Sequence, residues 1–476
     1  MTRGNGKWWP LFAVCLGNFM LLIDVTIVVA SLPQMAGDLD AGFSDLQWVM
    51  DAYALALAAL LMAAGAAGDR FGRRRVYVLG LSGFALASLV CGLAPNAGVL
   101  IAARAVQGLA AAATLATNAP LLAAAYGGRD RGVAFGVWGA VSGAASAVGV
   151  LLGGVLTEYV DWRAIFLVNL PVSALALLIT WRTVAESHGP REGAGIDWPG
   201  TVTFTACAGA LTYGLIRGGE ESWGDAGTVG ALAAAALALA AFVAVELRSP
   251  APLLDLALMR RPSFAALMAA ALVLTASAFA HYTFTMLWLQ NVLGLSPIRA
   301  GLAVVPMAAS AFVTAGAGGR LWQRVPAWAA VGGGLFLIGA GTLALTAISA
   351  GSGRSVLLPG LIVSGVGVGM AVPVLVSAAL QAAPPERAGM ASGAVNTFRQ
   401  LGYALGVAVL GTLFATRVSG GTSGTPADFA AGLDLVYVTA GVAAVLTAAL
   451  VVLLGRPRAA EAAPGPVEAP VPEPAA

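Results

Sequence analysis

The chain reads as an all-α integral membrane protein with fourteen spans and both termini in the cytoplasm. Three observations predict this class. Of 476 residues, 59% are hydrophobic and only 10% charged, with a mean hydropathy of +0.86, whereas soluble domains carry about 25% charged residues. Apolar segments of roughly 20 residues, the length that crosses a bilayer, recur along the whole sequence. Basic residues favour alternate loops, as they do when cytoplasmic segments collect Lys and Arg.

The spans are placed at about 9–31, 46–67, 76–94, 98–124, 132–156, 163–182, 200–217, 228–246, 264–289, 298–318, 328–349, 356–380, 390–416 and 431–454. The first residues, MTRGNGKWWP, have the basic character of a signal peptide. The apolar run after them is about 23 residues long and lacks a small-residue cleavage site, so it is expected to be the first span, with 1–8 cytoplasmic. The third and fourth spans are separated by only "APN", a tight turn. The tail, 455–476, is Pro- and Ala-rich without apolar periodicity and is expected to be disordered.

With a cytoplasmic N-terminus, Arg3, Lys7, Arg70, Arg73, Arg74, Arg75, Arg129, Arg131, Arg182, Arg191, Arg248, Arg260, Arg261, Arg320, Arg324, Arg387, Arg456 and Arg458 fall inside. Outside lie Arg163, Arg217, Arg299, Arg354 and Arg417, and Arg104 and Arg399 lie within spans. This bias sets an even number of spans. Trp8, Trp9, Trp48, Trp162, Trp181, Trp198, Trp223, Trp288 and Trp328 sit near the span ends, where aromatic belts form. Cys15, Cys91 and Cys207 all lie in apolar runs, which argues against a disulfide framework. A net charge of +2 gives no sign of a nucleic-acid partner.

Two internal matches predict a repeat. In "RGVAFG" and "RAGMASG", Gly132, Ala134 and Gly136 correspond to Gly389, Ala391 and Gly393. In "GAAGDRFGRRR" and "GRLWQRVP", Gly65, Asp69 and Arg70 correspond to Gly319, Gln323 and Arg324. Two matches at nearly one offset place six spans in each half, 9–182 and 264–454. The linker 183–263 then holds two extra spans, at about 200–217 and 228–246. Parallel six-helix repeats are a mark of rocker-type secondary transporters.

Ionisable side chains at membrane depth cost about 2.5–3.5 kcal/mol on insertion scales and mark functional sites by default. Asp24 lies about 7 residues before the outer end of the first span, Asp51 about 5 after that of the second, and Arg104 about 6 into the fourth. At 1.5 Å per residue all three sit roughly 8–10 Å below the outer surface. One network of two acids and one base is expected there, with Arg104 neutralising one carboxylate and leaving the other to titrate. A static ion pair that locks the three helices is the alternative. In the second half "HYTFTMLWLQ" and "NTFRQLG" bring His281, Tyr282, Gln290, Asn396, Arg399 and Gln400 to membrane depth. They are candidate cavity residues for an amphiphilic organic ligand, or else helix–helix hydrogen bonds. The fifth span carries Gly139, Gly143, Gly149, Gly153 and Gly154, whose four-residue spacings allow close helix approach.

These stretches resemble the major facilitator superfamily, specifically its fourteen-helix drug:proton antiporter branch, over about 9–454. "GAAGDRFGRRR" is similar to the family's cytoplasmic signature loop and supplies Gly65, Asp69, Arg70, Gly72, Arg73, Arg74 and Arg75. The resemblance implies that this loop latches the two halves. "LLIDVTIVVASLP" resembles the branch's first-helix motif, with its acid at Asp24. "RAVQG", holding Arg104 and Gln107, resembles the fourth-helix motif, whose arginine is implicated in proton transfer. "WRAIFLVNLPV" and "DWPG" also look like this branch. The antiporter motif of the fifth helix departs: "GVLLGG" keeps Gly149, Gly153 and Gly154, but Val150 stands where proline is expected.

The resemblance implies a multi-pass protein of a bacterial plasma membrane, functional as a monomer. It would export a small amphiphilic compound, drug or antibiotic-like, in exchange for protons. No cofactor is expected beyond the proton gradient. A facilitator or importer of the same fold is the alternative, motivated by Val150. ATP drive within the chain is not expected, because there is no G-x-x-x-x-G-K-[ST] loop and Lys7 is the only lysine. An enzyme is not expected either: His188 and His281 are the only histidines, and no Cys/His metal spacing occurs.

Overall fold

The computed structural model describes residues 7–188, 197–250, 252–318, 325–382, 388–418 and 424–455. Every regular element among them is helical. The long helices are α1 Trp9–Asp38, α2 Phe43–Phe71, α3 Arg73–Gly92, α4 Ala97–Ala125, α5 Gly128–Tyr159, α6 Ala164–Thr183 and α7 Trp198–Glu220. They continue as α8 Ala226–Glu246, α9 Pro262–Val292, α10 Pro297–Gly318, α11 Ala327–Ala347, α12 Leu357–Ala382, α13 Ala388–Ala415 and α14 Pro426–Leu454.

Among the described residues, twelve of these are long and apolar enough to cross a membrane; α5 and α7 are the other two long helices. Both form helices where the fifth and seventh spans were expected, of 32 and 23 residues. In α7, threonine and glycine dilute the apolar run, and Arg217 and Glu220 occupy its end. The expected tail 456–476 lies outside the described residues, as do Gly319, Gln323 and Arg324 of the second-half loop.

Local chemistry sets the helix ends. Asn96 caps α4 by accepting from the Val99 N–H at 2.9 Å, so "APN" is the tight turn its sequence implies. Thr425 and Asp428 form a capping box that starts α14 earlier than the expected 431. α1 runs past the expected 31 because a 3₁₀ turn, Val28–Ser31, passes into a last stretch with Pro33 in its first turn. α9 is interrupted by π turns at Ala276–Ala280 and Trp288–Val292, a form common at functional sites.

The helix pairings repeat. In the first half α2 and α3 pack on α4, and α1 packs on α5 and α6. In the second half α10 and α11 pack on α12, and α9 packs on α13 and α14. Adding eight to each helix number converts one set into the other. The two most extensive contacts between the halves are α2 with α13 and α5 with α10, and exchanging the halves interchanges them. α7 pairs with α8 and lies against α2 and α13.

The halves are drawn together at the end that carries the α1–α2 and α9–α10 connections. There Gln47 Nε2 donates to the Val407 carbonyl at 3.1 Å, and Gln290 Nε2 to the Ala30 carbonyl at 3.0 Å. The Ile298 N–H donates to Glu158 Oε2 at 3.2 Å. Phe43 packs between Phe284 and Phe414, 6.1 Å from each ring. Of the α5 glycines, Gly154 permits this approach, and Gly153 permits that of α1 within the first half. A Cβ on Gly153 would lie 2.5 Å from the Ile27 carbonyl, and one on Gly154 would lie 2.8 Å from the Pro297 carbonyl and the Ile298 Cα. Gly154→Leu is therefore expected to pry α5 from α10 at this end. Spin labels at Glu158 and Arg299 would read this as a lengthened distance; an unchanged distance would show that Gly154 does not set the approach. α5 is one continuous helix across Val150. The side-chain surroundings of Gly143 and Val150 lie outside the described residues.

Candidate functional site

Asp24, on α1, is fully buried. Arg104 of α4 reaches it from one turn above Gln107, so a single helix face presents both side chains. Arg104 Nη1 donates to Asp24 Oδ2, and also to Gln107 Oε1 at 2.6 Å. Gln107 Nε2 donates to Asp24 Oδ1 at 3.0 Å, and Asn169 Nδ2 of α6 donates to the same oxygen at 3.1 Å. Ser88 Oγ of α3 accepts from Gln107 at 2.8 Å and from Asn169 at 3.3 Å. Arg104 Nε donates to the Val49 carbonyl of α2 at 3.0 Å, and the guanidinium carbon lies 4.3 Å from the Tyr53 ring centre. Five helices thus hold one carboxylate and one guanidinium with their hydrogen-bonding groups well occupied, the condition under which a buried ion pair is tolerated.

Asp51 is also fully buried, but it is not in this network. Neither of its carboxyl oxygens has a hydrogen-bond partner among the described residues. The expected depth is right and the face is different. Val49 points its carbonyl at Arg104, and two residues on, about 200° around the helix, the side chain faces the other way. The α2–α13 contact runs through Gln47 to Val407, Ala58 to Thr397 and Met62 to Gly393. That register sets Asp51 opposite Tyr403 and Ala404, between the two halves.

The second-half candidates are not brought into one group. His281 is buried on α9, edge-on to Tyr282 and Tyr437, with Nδ1 3.4 Å from Thr285 Oγ1. Tyr282 turns its hydroxyl to Met307 Sδ on α10, at 2.6 Å, whereas Gln290 bonds across to α1. Asn396 and Arg399 are half-buried on α13. The three α9 side chains address different neighbours, because successive residues of a helix point about 100° apart and Gln290 lies two turns further along.

The signature loop folds back on the first half. Asp69 pairs with Arg73 at 2.7 Å. Gly72 has φ +109°, and a Cβ there would lie 2.8 Å from the Glu186 carboxyl carbon, so glycine is required twice over. Glu186 accepts from the Arg74 N–H at 2.9 Å and the Arg75 N–H at 3.2 Å, capping α3. The Arg73 N–H donates to the Ser187 carbonyl at 2.9 Å, and Arg74 Nη2 to the Trp181 carbonyl at 2.8 Å. A Cβ on Gly65 would lie 4.0 Å from the Ala116 Cβ, and Arg70 stacks toward Phe71. Glu186→Ala should cost about 1 kcal/mol by uncapping α3. A thermal melt in detergent checks this; an unchanged midpoint would mean water caps α3 equally well.

Sequence reasoning missed Ser88, Asn169, Tyr53 and Glu186. Asn169 lies within "WRAIFLVNLPV", a stretch noted as a whole and not for that residue. Ser88 carries no signal beyond a small polar residue in a span. Among the described residues no group of three or more His, Cys, Asp or Glu side chains is placed to hold a metal ion.

Two similarly paired sets of membrane-length helices, joined at one end and with a buried ion pair inside the first set, define a membrane transporter of the two-bundle kind. The chain belongs to the major facilitator superfamily, whose family model matches residues 14–407. It is a multi-pass protein of the cell membrane. The chain is 37% identical over 410 residues to the multidrug resistance protein Stp of Mycobacterium tuberculosis, covering 86% of this chain and 76% of that one. It is 33% identical to the tetracenomycin C resistance and export protein of Streptomyces glaucescens, over 87% and 77% of the two chains. With the puromycin resistance protein pur8 of Streptomyces alboniger the identity is 36%, over 86% and 82%. Among solved structures, the peptide transporter POT in complex with sulfate superposes with a TM-score of 0.69 at 14% identity, over 94% of this chain and 95% of that one. The human organic anion transporter MFSD10 does so with a TM-score of 0.64 at 18% identity, covering 94% of this chain and 100% of that one. These two likenesses concern the fold.

Proposed function

We propose that this protein exports a small amphiphilic compound, drug or antibiotic-like, in exchange for protons by alternating access. The observation that carries the reading is Asp24 held by Arg104, Gln107 and Asn169 inside the first half. A carboxylate whose counter-charge is a single guanidinium can take a proton and release the arginine to its other acceptors, Gln107 Oε1 and the Val49 carbonyl. Returning the proton restores the pair. That exchange is a two-state element both proton and substrate can bias. The resistance and export proteins named above support drugs and antibiotics as the substrate class.

In this reading all fourteen long helices span the membrane, with both termini cytoplasmic. α1–α6 and α9–α14 form the moving bundles, 9–182 and 264–454, and the linker 183–263 carries α7 and α8. The joined end then faces outward, and the protein stands in a state closed to the outside. A proton entering across 100 mV releases about 2.3 kcal/mol, to which the pH difference adds. Asp51, sealed between the bundles with no hydrogen-bond partner among the described residues, is a second candidate carboxyl. The protein works as a monomer in the bilayer, without cofactor or nucleic acid. A facilitator or importer of the same fold is the second reading, favoured by Val150 in place of the motif proline.

Cells with and without the protein, challenged with a panel of antibiotics, provide the test. Export predicts higher resistance to at least one amphiphilic compound, lost when a protonophore collapses the gradient. Compound flux that ignores the protonophore would sink antiport and favour the second reading.

A further inference from the structure

The helix pair α7–α8 takes no part in the Asp24 network, yet two carboxyls are buried where the pair begins and ends. Asp197 caps α7, its Oδ1 accepting from the Gly200 N–H at 2.8 Å. Glu246 closes α8, its Oε2 accepting from the Leu254 N–H at 3.1 Å. They are 8% and 4% exposed, respectively. Each therefore has one oxygen satisfied by backbone, and the others, Asp197 Oδ2 and Glu246 Oε1, have no partner among the described residues. These two oxygens face the same space beside Gly200: a Cβ there would lie 2.7 Å from the first and 2.6 Å from the second. Neither carboxyl makes an ion pair among the described residues. Asp197 is the charged group that acts on Glu246, and the neighbouring segment offers it the backbone N–H groups of Leu253 and Leu254. Asp255 of that segment turns one oxygen to the Ala257 N–H, and Arg248, two residues beyond Glu246, is exposed.

Two buried acceptors that face one small space repel unless something positive lies between them. Calcium takes six to eight oxygen ligands and magnesium a near-ideal octahedron, whereas two side-chain oxygens converge here and no third acidic group joins them among the described residues. We propose that Asp197 and Glu246 bind one shared proton, forming a carboxyl–carboxylate staple that ties the start of α7 to the end of α8. This site is independent of Asp24 and of the direction of transport. Its glycine is part of it: Gly200 leaves the space in which the two oxygens meet. The folded state then holds a proton the unfolded chain gives up at a lower pH, so stability contributed by the staple falls as pH rises.

The test uses the full chain in lipid nanodiscs, with infrared absorption of the protonated carboxyl and the thermal midpoint followed from mildly acidic to mildly alkaline pH. The wild type should lose one carboxylic-acid band together with part of its thermal midpoint as pH rises. Glu246→Gln and Asp197→Asn should each remove that same band and flatten the pH dependence, since one shared proton needs both groups. Asparagine remains a helix cap, so the second variant keeps α7 intact if the first does not fold. Gly200→Ala, which places a methyl between the oxygens, should act likewise. A band that survives in Asp197→Asn would overturn the proposal. So would recovery of the alkaline loss by added calcium or magnesium, which would make the occupant a metal ion.

Discussion

Replacing Arg104 with glutamine is expected to abolish gradient-driven export while leaving a folded protein. Asp24 loses its counter-charge, but a carboxylate can meet that loss by taking a proton, and Gln107 and Asn169 still reach Oδ1. The carboxyl is then held in one protonation state, and a transporter that cannot cycle its proton cannot do uphill work. Downhill exchange of substrate across vesicles should persist. Uphill accumulation in everted vesicles should fall to the level seen with protonophore; undiminished accumulation would remove Arg104 from the coupling machinery.

Asp24→Asn should do more damage to stability than Arg104→Gln, although it looks the milder change. A guanidinium does not give up its proton in proteins, so Arg104, itself fully buried, stays charged with no anion. Removing one partner of a buried pair costs about 3–5 kcal/mol; the Val49 carbonyl, Gln107 and the Tyr53 ring hold Arg104 and put this case toward the lower bound. The double variant, Asp24→Asn with Arg104→Gln, should recover most of the loss because no charge remains buried. Thermal unfolding of the four proteins forms a double-mutant cycle. Additive losses in the double variant would mean that the two side chains act separately.

Much of this architecture is legible along the chain. Span length and hydropathy lead to fourteen expected spans, a long helix stands at each of those places, and the polar-ended α7 tests the limit of that signal. The repeat shows in two short motif matches and reappears as the matching helix pairings. For the site, counting residues from the span ends gives a common depth for Asp24, Asp51 and Arg104. Depth runs along a helix, whereas contact depends on rotation about it. Val49 and Asp51 stand on nearly opposite faces of α2, so one backbone carbonyl meets Arg104 and the neighbouring carboxyl meets α13. Ser88 and Asn169 are small polar residues in apolar spans, and nothing in sequence separates a proton-site ligand from a helix–helix hydrogen bond. His281, Tyr282 and Gln290 share a span yet address three different helices, because sharing a span fixes depth and not the direction in which each side chain points.

Glu186 shows a different limit. The signature loop is unmistakable in sequence, but the residue that caps its helix comes from beyond α6, far along the chain. Gly72 belongs to the motif and adopts φ +109° directly beneath that carboxylate, so loop and linker are fitted to each other. Only the folded backbone brings the two together.

The central claim is that substrate leaves as protons enter through Asp24. The measurement that addresses it most directly is proton movement evoked by substrate in proteoliposomes holding a trapped pH dye. A compound to which the protein confers resistance is added to one side, with no pH gradient imposed. The account predicts proton counterflow with the wild type and none with Arg104→Gln, while both proteins exchange labelled compound. Compound flux in the wild type without any proton movement would contradict it.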